Sequence, residues 1–300
     1  MRSSLLQELK SRCPELVILP EGPMAKHCSF RIGGIADAML LPSSPEEAET
    51  VCRVLRQAGE APLLMGNGTN LLVTDAPLHR MVLRLGEGFS RISVRGNTLH
   101  SESGALLSQL ATAAARAGLT GLEFAHGIPG SVGGGVSMNA GTYGGEMKDA
   151  VVSVVYLDEE LCLRETEDPD FSYRHSMFSG TEQVVLSADF RLSEGDETAI
   201  REKMRQLMAK RKASQPLELP SAGSTFKRPV GGYAAALIDQ AGVKGVQIGG
   251  AAVSEKHAGF VVNRGGASFD DVLRLMDLIQ ETVLQRFGIS LEPEVKIIRS

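Results

Sequence analysis

The sequence predicts an α+β protein of two main parts, and three observations lead there. Aliphatic runs of strand length recur along the chain, separated by a few amphipathic helical patterns. A polar helical pattern over 197–212 runs into Gln215-Pro216-Leu217-Glu218-Leu219-Pro220, whose two prolines read as a hinge and set a boundary at 195–215. The 300 residues, 43% hydrophobic and 22% charged, suffice for two cores. With no Trp and 5% aromatics, those cores must be aliphatic.

The first element is a helix over 45–58. Ser44 suits the N-cap, Pro45 the first turn, and Glu47 is expected to complete a capping box. Ala48, Val51, Leu55 and Ala58 form its apolar stripe, and Gly59 stops it. Strand-length runs at 38–41, 62–65 and 71–73 flank it and predict a small α/β layer. Strands follow over 81–99, then a helix over 105–117 that ends at Gly118. A glycine-rich loop occupies 121–145, with nine glycines in 25 residues. Two strands are expected at 150–157 and 183–192, and a helix over 197–212 carries Ile200, Met204, Leu207 and Met208 on one face. The strongest helical signal covers 269–287: Ser268 as N-cap, Asp271 three residues on, Gly288 as stop, and a stripe of Val272, Leu275, Ile279, Val283 and Phe287. A last strand covers 295–298.

Composition removes several function classes. A net charge of −5 and a pI near 5.8 give no support to sequence-independent nucleic-acid binding, which needs a basic excess. No run approaches the roughly 18 to 20 apolar residues of a membrane span, and residues 1–10 lack the basic start and apolar run of a secretory leader. A soluble, cytoplasmic protein is expected, without membrane insertion and without an obligate protein partner. Cys13, Cys28, Cys52 and Cys162 have no metal-ligand spacing and read as free thiols; no metal site is expected.

Two glycine loops stand out. Gly66, Asn67, Gly68, Thr69 and Asn70 join two expected strands, and their backbone N–H groups can converge on one anion. A tight turn is the plainer reading. The dinucleotide fingerprint fails, because Leu71 stands at the third glycine position and no helical pattern follows; no Gly-Lys-Ser/Thr occurs for a P-loop. The second loop, Gly127-Ile128-Pro129-Gly130-Ser131-Val132-Gly133-Gly134-Gly135, runs into Met138-Asn139-Ala140-Gly141. Its interleaved apolar residues distinguish it from a flexible linker. Together the loops imply a dinucleotide cradle outside the Rossmann pattern, or glycines that serve close packing of elements.

These segments resemble the UDP-N-acetylenolpyruvoylglucosamine reductase (MurB) family. The resemblance rests on Gly66–Asn70, on Gly121-Leu-Glu-Phe-Ala-His-Gly-Ile-Pro-Gly-Ser-Val-Gly-Gly134, and on Asn139-Ala140-Gly141. Further matches follow in order: Tyr173-Arg174-His175-Ser176-Met177-Phe178, Ser221-Ala-Gly-Ser-Thr-Phe-Lys-Arg-Pro229, Lys256-His-Ala-Gly-Phe-Val-Val-Asn263 and Leu291-Glu-Pro-Glu-Val295. They span about residues 26–298. The resemblance implies a two-subdomain FAD-binding fold of the vanillyl-alcohol-oxidase (PCMH) type over 1–82 and 83–198. A C-terminal α+β substrate domain over 199–300 would follow. It also implies FAD and NADPH as cofactors and UDP-N-acetylglucosamine enolpyruvate as substrate.

By the same resemblance Gly66, Asn67, Gly68, Thr69, Asn70, Gly127, Ile128, Gly130, Ser131, Gly133, Gly134, Asn139, Ala140 and Gly141 bind the cofactor. Arg174, Ser224 and Glu294 are the catalytic residues: a charge partner for the substrate enolate, the proton donor to C2, and a carboxyl that meets the substrate carboxylate or orients a donor. Arg174 alone would read as a surface ion-pair partner, Glu294 as a solvated edge carboxylate, and Ser224, between Gly223 and Thr225, as a turn residue. Tyr173, Lys227 and Arg228 are expected at the substrate, with the two cations suited to a diphosphate. Lys210, Arg211 and Lys212 read as a solvated patch.

Departures from the family pattern are few. His27 and Cys28 precede Ser29-Phe30 where Asn-Thr is common, Thr69 replaces a serine, and His126 stands where a small residue is usual, which raises covalent flavin attachment as a hypothesis. The stretch between Asp189 and Ser221 holds no extra loop with a tyrosine cap, as in the shorter second class of the family. Two other readings stay open at this point: another FAD enzyme of the same fold, and a catalytically silent sugar-nucleotide binder.

Overall fold

The computed structural model describes residues 2–300, with the side chain of Arg2 excepted. Met1, the first residue of the stretch read for a leader, lies outside the described residues. The chain forms two compact units. One comprises residues 1–21, 37–67 and 80–209; the other comprises 22–36, 68–79 and 210–300.

The first unit has two cores. In one, the helix Pro45–Gln57 buries Ala48, Val51, Cys52, Val54 and Leu55 against Leu5, Leu9, Ala38, Leu40, Met81 and Leu83. The strand Leu63–Met65 pairs parallel with Leu78–Arg84, Leu63 opposite Val82. Ser44 caps the helix as expected, its Oγ accepting from the Glu47 N–H at 3.2 Å. The expected capping box does not close. The Glu47 carboxylate reaches past Ser44 to Ser43, where it takes both the backbone N–H at 2.7 Å and the hydroxyl at 2.9 Å. Two donors at one residue outcompete the single N–H of Ser44.

The second core lies under a five-stranded antiparallel sheet ordered Leu163–Thr166, Val151–Leu157, Val184–Arg191, Thr98–Glu102, Ile92–Arg95. The helix Leu107–Arg116 buries Leu107, Leu110, Ala111, Ala114 and Ala115 there, with Val154, Ala188 and Phe190 of the sheet. The glycine-rich stretch, expected as a loop, contains a helix, Val132–Ser137, and a hairpin of Gly141–Thr142 with Gly145–Glu146. Three glycines in six residues argue against a helix by about 1 kcal/mol each relative to alanine. Packing reverses that preference. A Cβ on Gly133 would sit 2.7 Å from Ser103 Cβ, and one on Gly135 3.2 Å from the Leu107 methyls. Only a helix without those side chains can lie this close to 103–107, and Val132 and Val136 are then fully buried.

In the second unit the helix Phe269–Phe287 follows the sequence expectation. Ser268 Oγ accepts from Asp271 N–H, and the Asp271 carboxylate accepts from Ser268 N–H, both at 3.0 Å; Gly288 closes the helix at φ +67°. Val272, Leu275, Met276, Ile279 and Val283 pack on the antiparallel strands Gln247–Ile248, Ala251–Val253 and Val261–Asn263, together with Phe226, Leu72 and Val295. Burying each such side chain contributes about 1.5–3 kcal/mol. The strand Leu71–Val73 corrects an expectation. It does not join the layer around Pro45–Gln57 but pairs parallel with Lys296–Ile298, Leu71 opposite Lys296. Three aliphatic residues carry no signal for a partner at the far end of the chain.

Candidate active site

In the first unit the two glycine segments touch. Asn67 Nδ2 donates to the Pro129 carbonyl at 2.6 Å across 62 residues, and a Cβ on Gly66 would lie 2.2 Å from Ser131 Oγ. Gly66 is therefore required by loop-on-loop packing. Ser131 is buried and caps the helix Val132–Ser137, its Oγ 3.4 Å from the Gly134 N–H. Gly130 accepts from Leu107 N–H, and Gly133 N–H donates to the Ser103 carbonyl. Gly127 ends the short helix Glu123–Gly127, Ile128 packs on the core, and Gly134 is exposed. Two buried polar atoms beside this segment, Ser103 Oγ and His126 Nδ1, have no hydrogen-bond partner.

Asn139 is fully buried at φ +41°. Its amide donates to Glu146 Oε2 at 3.0 Å and to the Ser172 carbonyl at 2.9 Å, and its Oδ1 accepts from Lys148 N–H at 3.0 Å. Expected at the cofactor, this side chain makes three hydrogen bonds within the protein. It fastens the 139–148 segment to the turn that carries Tyr173 and Arg174. Ala140 is held from both sides, by the Gly135 carbonyl and the Met147 N–H.

That turn is tight. Ser172 and His175 exchange both backbone hydrogen bonds, so Tyr173 and Arg174 are its two central residues. Arg174 adopts φ +55°, a left-handed conformation that costs a non-glycine residue about 1–2 kcal/mol. Its Nη2 donates to the Gly141 carbonyl at 3.0 Å, and its guanidinium lies 5.1 Å from the Tyr173 ring centre. Ser176 and Ser179 hydroxyls both donate to the Ser137 carbonyl, so the whole motif is clamped to the end of the glycine-rich helix. Glu146, which the sequence reading passed over, pairs with Lys148 Nζ at 2.9 Å. Burial alone would raise its pKa; Lys148, Asn139 and the Arg174 charge outweigh burial and hold it below the ordinary glutamate range.

In the second unit the Ser224 and Glu294 segments lie side by side. Phe226 bridges Pro293, Lys227 N–H donates to the Glu292 carbonyl, and Glu294 N–H donates to the Thr225 carbonyl, each bond at 2.8 Å. Thr225 is buried and fixed further: its N–H donates to the Gly259 carbonyl, and its Oγ1 accepts from Val261 N–H. Ser224 itself is half-buried beside Gly223 at φ +78°. The other glycine-loop residues, Gly68, Thr69 and Asn70, also belong to this unit. Gly68 accepts from Ser29 N–H, and Asn70 Nδ2 donates to the Glu294 carbonyl at 3.0 Å. Lys227 pairs with Glu292, its neighbour across the bridge, and Arg228 stacks 4.5 Å over Tyr233. The Lys227 pair is partly exposed, so its exchange for an anionic ligand is inexpensive.

Residues 215–298 match the C-terminal domain of UDP-N-acetylenolpyruvoylglucosamine reductase, and residues 36–160 match an FAD binding domain. The chain is 45% identical to the UDP-N-acetylenolpyruvoylglucosamine reductase of Caldanaerobacter subterraneus over 99% of each sequence. It belongs to the UDP-N-acetylenolpyruvoylglucosamine reductase family. The relative from Latilactobacillus sakei is 47% identical over 92% of this chain and 91% of its own. The crystal structure of UDP-N-acetylenolpyruvylglucosamine reductase (MurB) from Thermus caldophilus superposes with a TM-score of 0.80 at 34% identity, covering 95% of this chain and 99% of that one. A berberine bridge enzyme variant, at 20% identity and a TM-score of 0.52, covers 64% of this chain and 44% of its own, and shares the fold alone. The expected fold, of the vanillyl-alcohol-oxidase type with a reductase-specific C-terminal domain, is borne out.

The residues present in this reductase-family chain fit an FAD. Two glycine segments are fastened together in the first unit, an exposed Gly134 leaves backbone without a side chain in the way, and Ser103 Oγ and His126 Nδ1 keep hydrogen-bonding capacity that the protein does not use. Ser103 was invisible as a site residue in sequence; its contact with Gly133 is tertiary. Glu146 had a weak signal, seven residues after Asn139 across a Tyr-Gly turn.

Proposed function

We propose that this chain reduces UDP-N-acetylglucosamine enolpyruvate to UDP-N-acetylmuramate in peptidoglycan precursor synthesis, with FAD as cofactor and NADPH as reductant, in the cytoplasm. The reading rests on the end-to-end 45% identity to the reductase of Caldanaerobacter subterraneus. Residues 1–82 and 83–198 are assigned as FAD-binding subdomains and 199–300 as the substrate domain. Bound FAD supplies the two-electron chemistry between nicotinamide and substrate.

The protein supplies orientation and charge. Hydride addition at C3 of an enolpyruvyl ether leaves negative charge at C2, spread into the carboxylate, and Arg174 is assigned to that charge. A guanidinium is always protonated and offers a planar fork that matches a carboxylate. Ser224 is assigned the proton delivered to C2. Its neighbour Thr225 is held through its backbone N–H and carbonyl and through its hydroxyl, so the serine is attached to a fixed point on that side. Glu294 is assigned to the substrate carboxylate or to orienting a donor, and Lys227 and Arg228 to the diphosphate. The glycine segments 66–70 and 127–141 are assigned to FAD, and Asn67, Asn70 and Asn139 among them also brace the protein through their side-chain amides.

The test is spectroscopic. Anaerobic holoenzyme should lose its flavin absorbance on addition of NADPH and regain it on addition of UDP-N-acetylglucosamine enolpyruvate. A flavin that bleaches and is not restored by that substrate rejects the reading in favour of another flavoenzyme of the fold. A chain that takes up no FAD rejects it altogether.

A further inference from the structure

We propose that Glu146 is a positioning residue for Arg174, acting through Asn139 and through the hairpin in which it faces Gly141. The proposal rests on the assignment of Arg174 to the substrate's developing charge. Glu146 does not donate to or accept from the substrate in this view; it sets where the guanidinium stands.

Five relations carry the argument. Arg174 Nη2 takes its hold on the Gly141 carbonyl at 3.0 Å. Gly141 is the register partner of Glu146 in the hairpin, joined by a two-residue turn whose residues, Tyr143 and Gly144, have φ +53° and +86°. Such a turn fits the twist of the paired strands and fixes their register. The Glu146 side chain folds over Gly141: a Cβ placed there would lie 2.6 Å from Glu146 Cγ. The carboxylate then meets the buried amide of Asn139 at 3.0 Å, and the same amide holds the Ser172 carbonyl at 2.9 Å, two residues before Arg174.

The guanidinium and its backbone are thus located by two routes that both pass through Glu146. One runs from Glu146 across the hairpin to Gly141 and the arginine side chain. The other runs from Glu146 through Asn139 to Ser172 and the arginine's own turn. Arg174 holds a left-handed φ, and that conformation persists only when its surroundings over-determine it. Lys148 completes the group, its N–H on Asn139 Oδ1 and its ammonium on the Glu146 carboxylate.

Glu146→Gln keeps the side chain's size and an oxygen for the Asn139 amide, and removes the charge. In FAD-loaded enzyme it should slow reoxidation of reduced flavin by enolpyruvyl substrate about tenfold or more. It should also weaken binding of the product UDP-N-acetylmuramate, followed by flavin fluorescence. Flavin reduction by NADPH and the unfolding midpoint should stay near the parent's. Placed in an Arg174→Ala background, the same substitution should add no further loss, since the group it positions is gone. Reoxidation within twofold of the parent for Glu146→Gln would overturn the proposal. So would an equal loss in both backgrounds, which marks a general structural role. If Arg174→Ala itself leaves reoxidation unchanged, the assignment of Arg174 fails and takes the proposal with it.

Discussion

The side-chain amide of Asn70 donates to the backbone carbonyl of Glu294 at 3.0 Å, across 224 residues of sequence. The Asn70 carbonyl in turn accepts from Lys296 N–H at 2.9 Å, and the strands that follow each residue run parallel. A loop read from sequence as a cofactor contact is, in its last residue, a brace for the candidate catalytic glutamate. Asn70→Ala removes that brace and should destabilise the protein by about 1 kcal/mol, the net worth of one such bond. Asn70→Asp should be worse, because it sets a carboxylate against the carbonyl. Thermal unfolding of the three proteins checks the order, and equal midpoints would show that the bond carries no weight.

Ser224 precedes Thr225, whose backbone and hydroxyl are already held, so its own hydroxyl can be removed without disturbing the bridge between Phe226 and Pro293. Ser224→Ala should leave flavin reduction by NADPH intact and suppress reoxidation by substrate by several orders of magnitude. Arg174→Ala should damage the same half-reaction by about 3 to 4 kcal/mol of barrier, the scale of an oxyanion donor. Stopped-flow absorbance of each half-reaction separates the two. Comparable rates for Ser224→Ala and parent would remove the serine from the chemistry.

Local rules explain what was legible in the sequence. The helices at 45–57 and 269–287 declared themselves because their caps and stops lie within a few residues of one another. The helix Val132–Ser137 did not, since its three glycines are favoured only by the approach of Ser103 and Leu107. The partner of Leu71–Val73 lies at the other end of the chain, beyond any periodicity. At the site, Ser224 and Glu294 were named through family resemblance alone, because a serine after glycine reads as a turn. The left-handed φ of Arg174 and the buried bonds of Asn139 have no sequence signature at all.

The Ser268–Asp271 box joins helix capping to the sheet, since the Asp271 carboxylate also accepts from Gly250 N–H at 3.2 Å. Backbone donors at Ser268 and Gly250 favour the ionised carboxyl and hold its pKa below the ordinary 3.8. Ser268→Ala should lower stability by about 1 kcal/mol. Asp271→Asn should lose more than that at pH 7, and its deficit against the parent should shrink as pH falls below about 4 and through the depressed folded value, where the parent's own carboxyl protonates. Urea unfolding at pH 7 and pH 3.5 measures this, and a deficit independent of pH would contradict it.

His257 makes the opposite test on the acid side of neutrality. Its Nδ1 accepts from Gly259 N–H at 3.2 Å, its ring meets Phe260 edge-on at 5.0 Å, and the Gly259 carbonyl supports Thr225, next to Ser224. Burial, joined by the charge of Lys244 and opposed by a backbone hydrogen bond, holds its pKa below the ordinary 6.5. The folded protein therefore keeps this ring neutral at pH values where the unfolded chain binds a proton. Unfolding draws in that proton, so the stability linked to His257 is full above about pH 6.5 and lost progressively as pH falls through the depressed folded value. Protonation would also turn Nδ1 into a donor facing the Gly259 N–H, which adds to the loss. His257→Asn keeps a short polar side chain and does not titrate. Denaturant midpoints at pH 7.5, 6.5 and 5.5 should fall more steeply for the parent than for the variant, and the turn 254–260 should loosen first, read by amide hydrogen exchange at Thr225 and Phe260. Parallel curves for the two proteins would show that His257 titrates alike in the folded and unfolded chain.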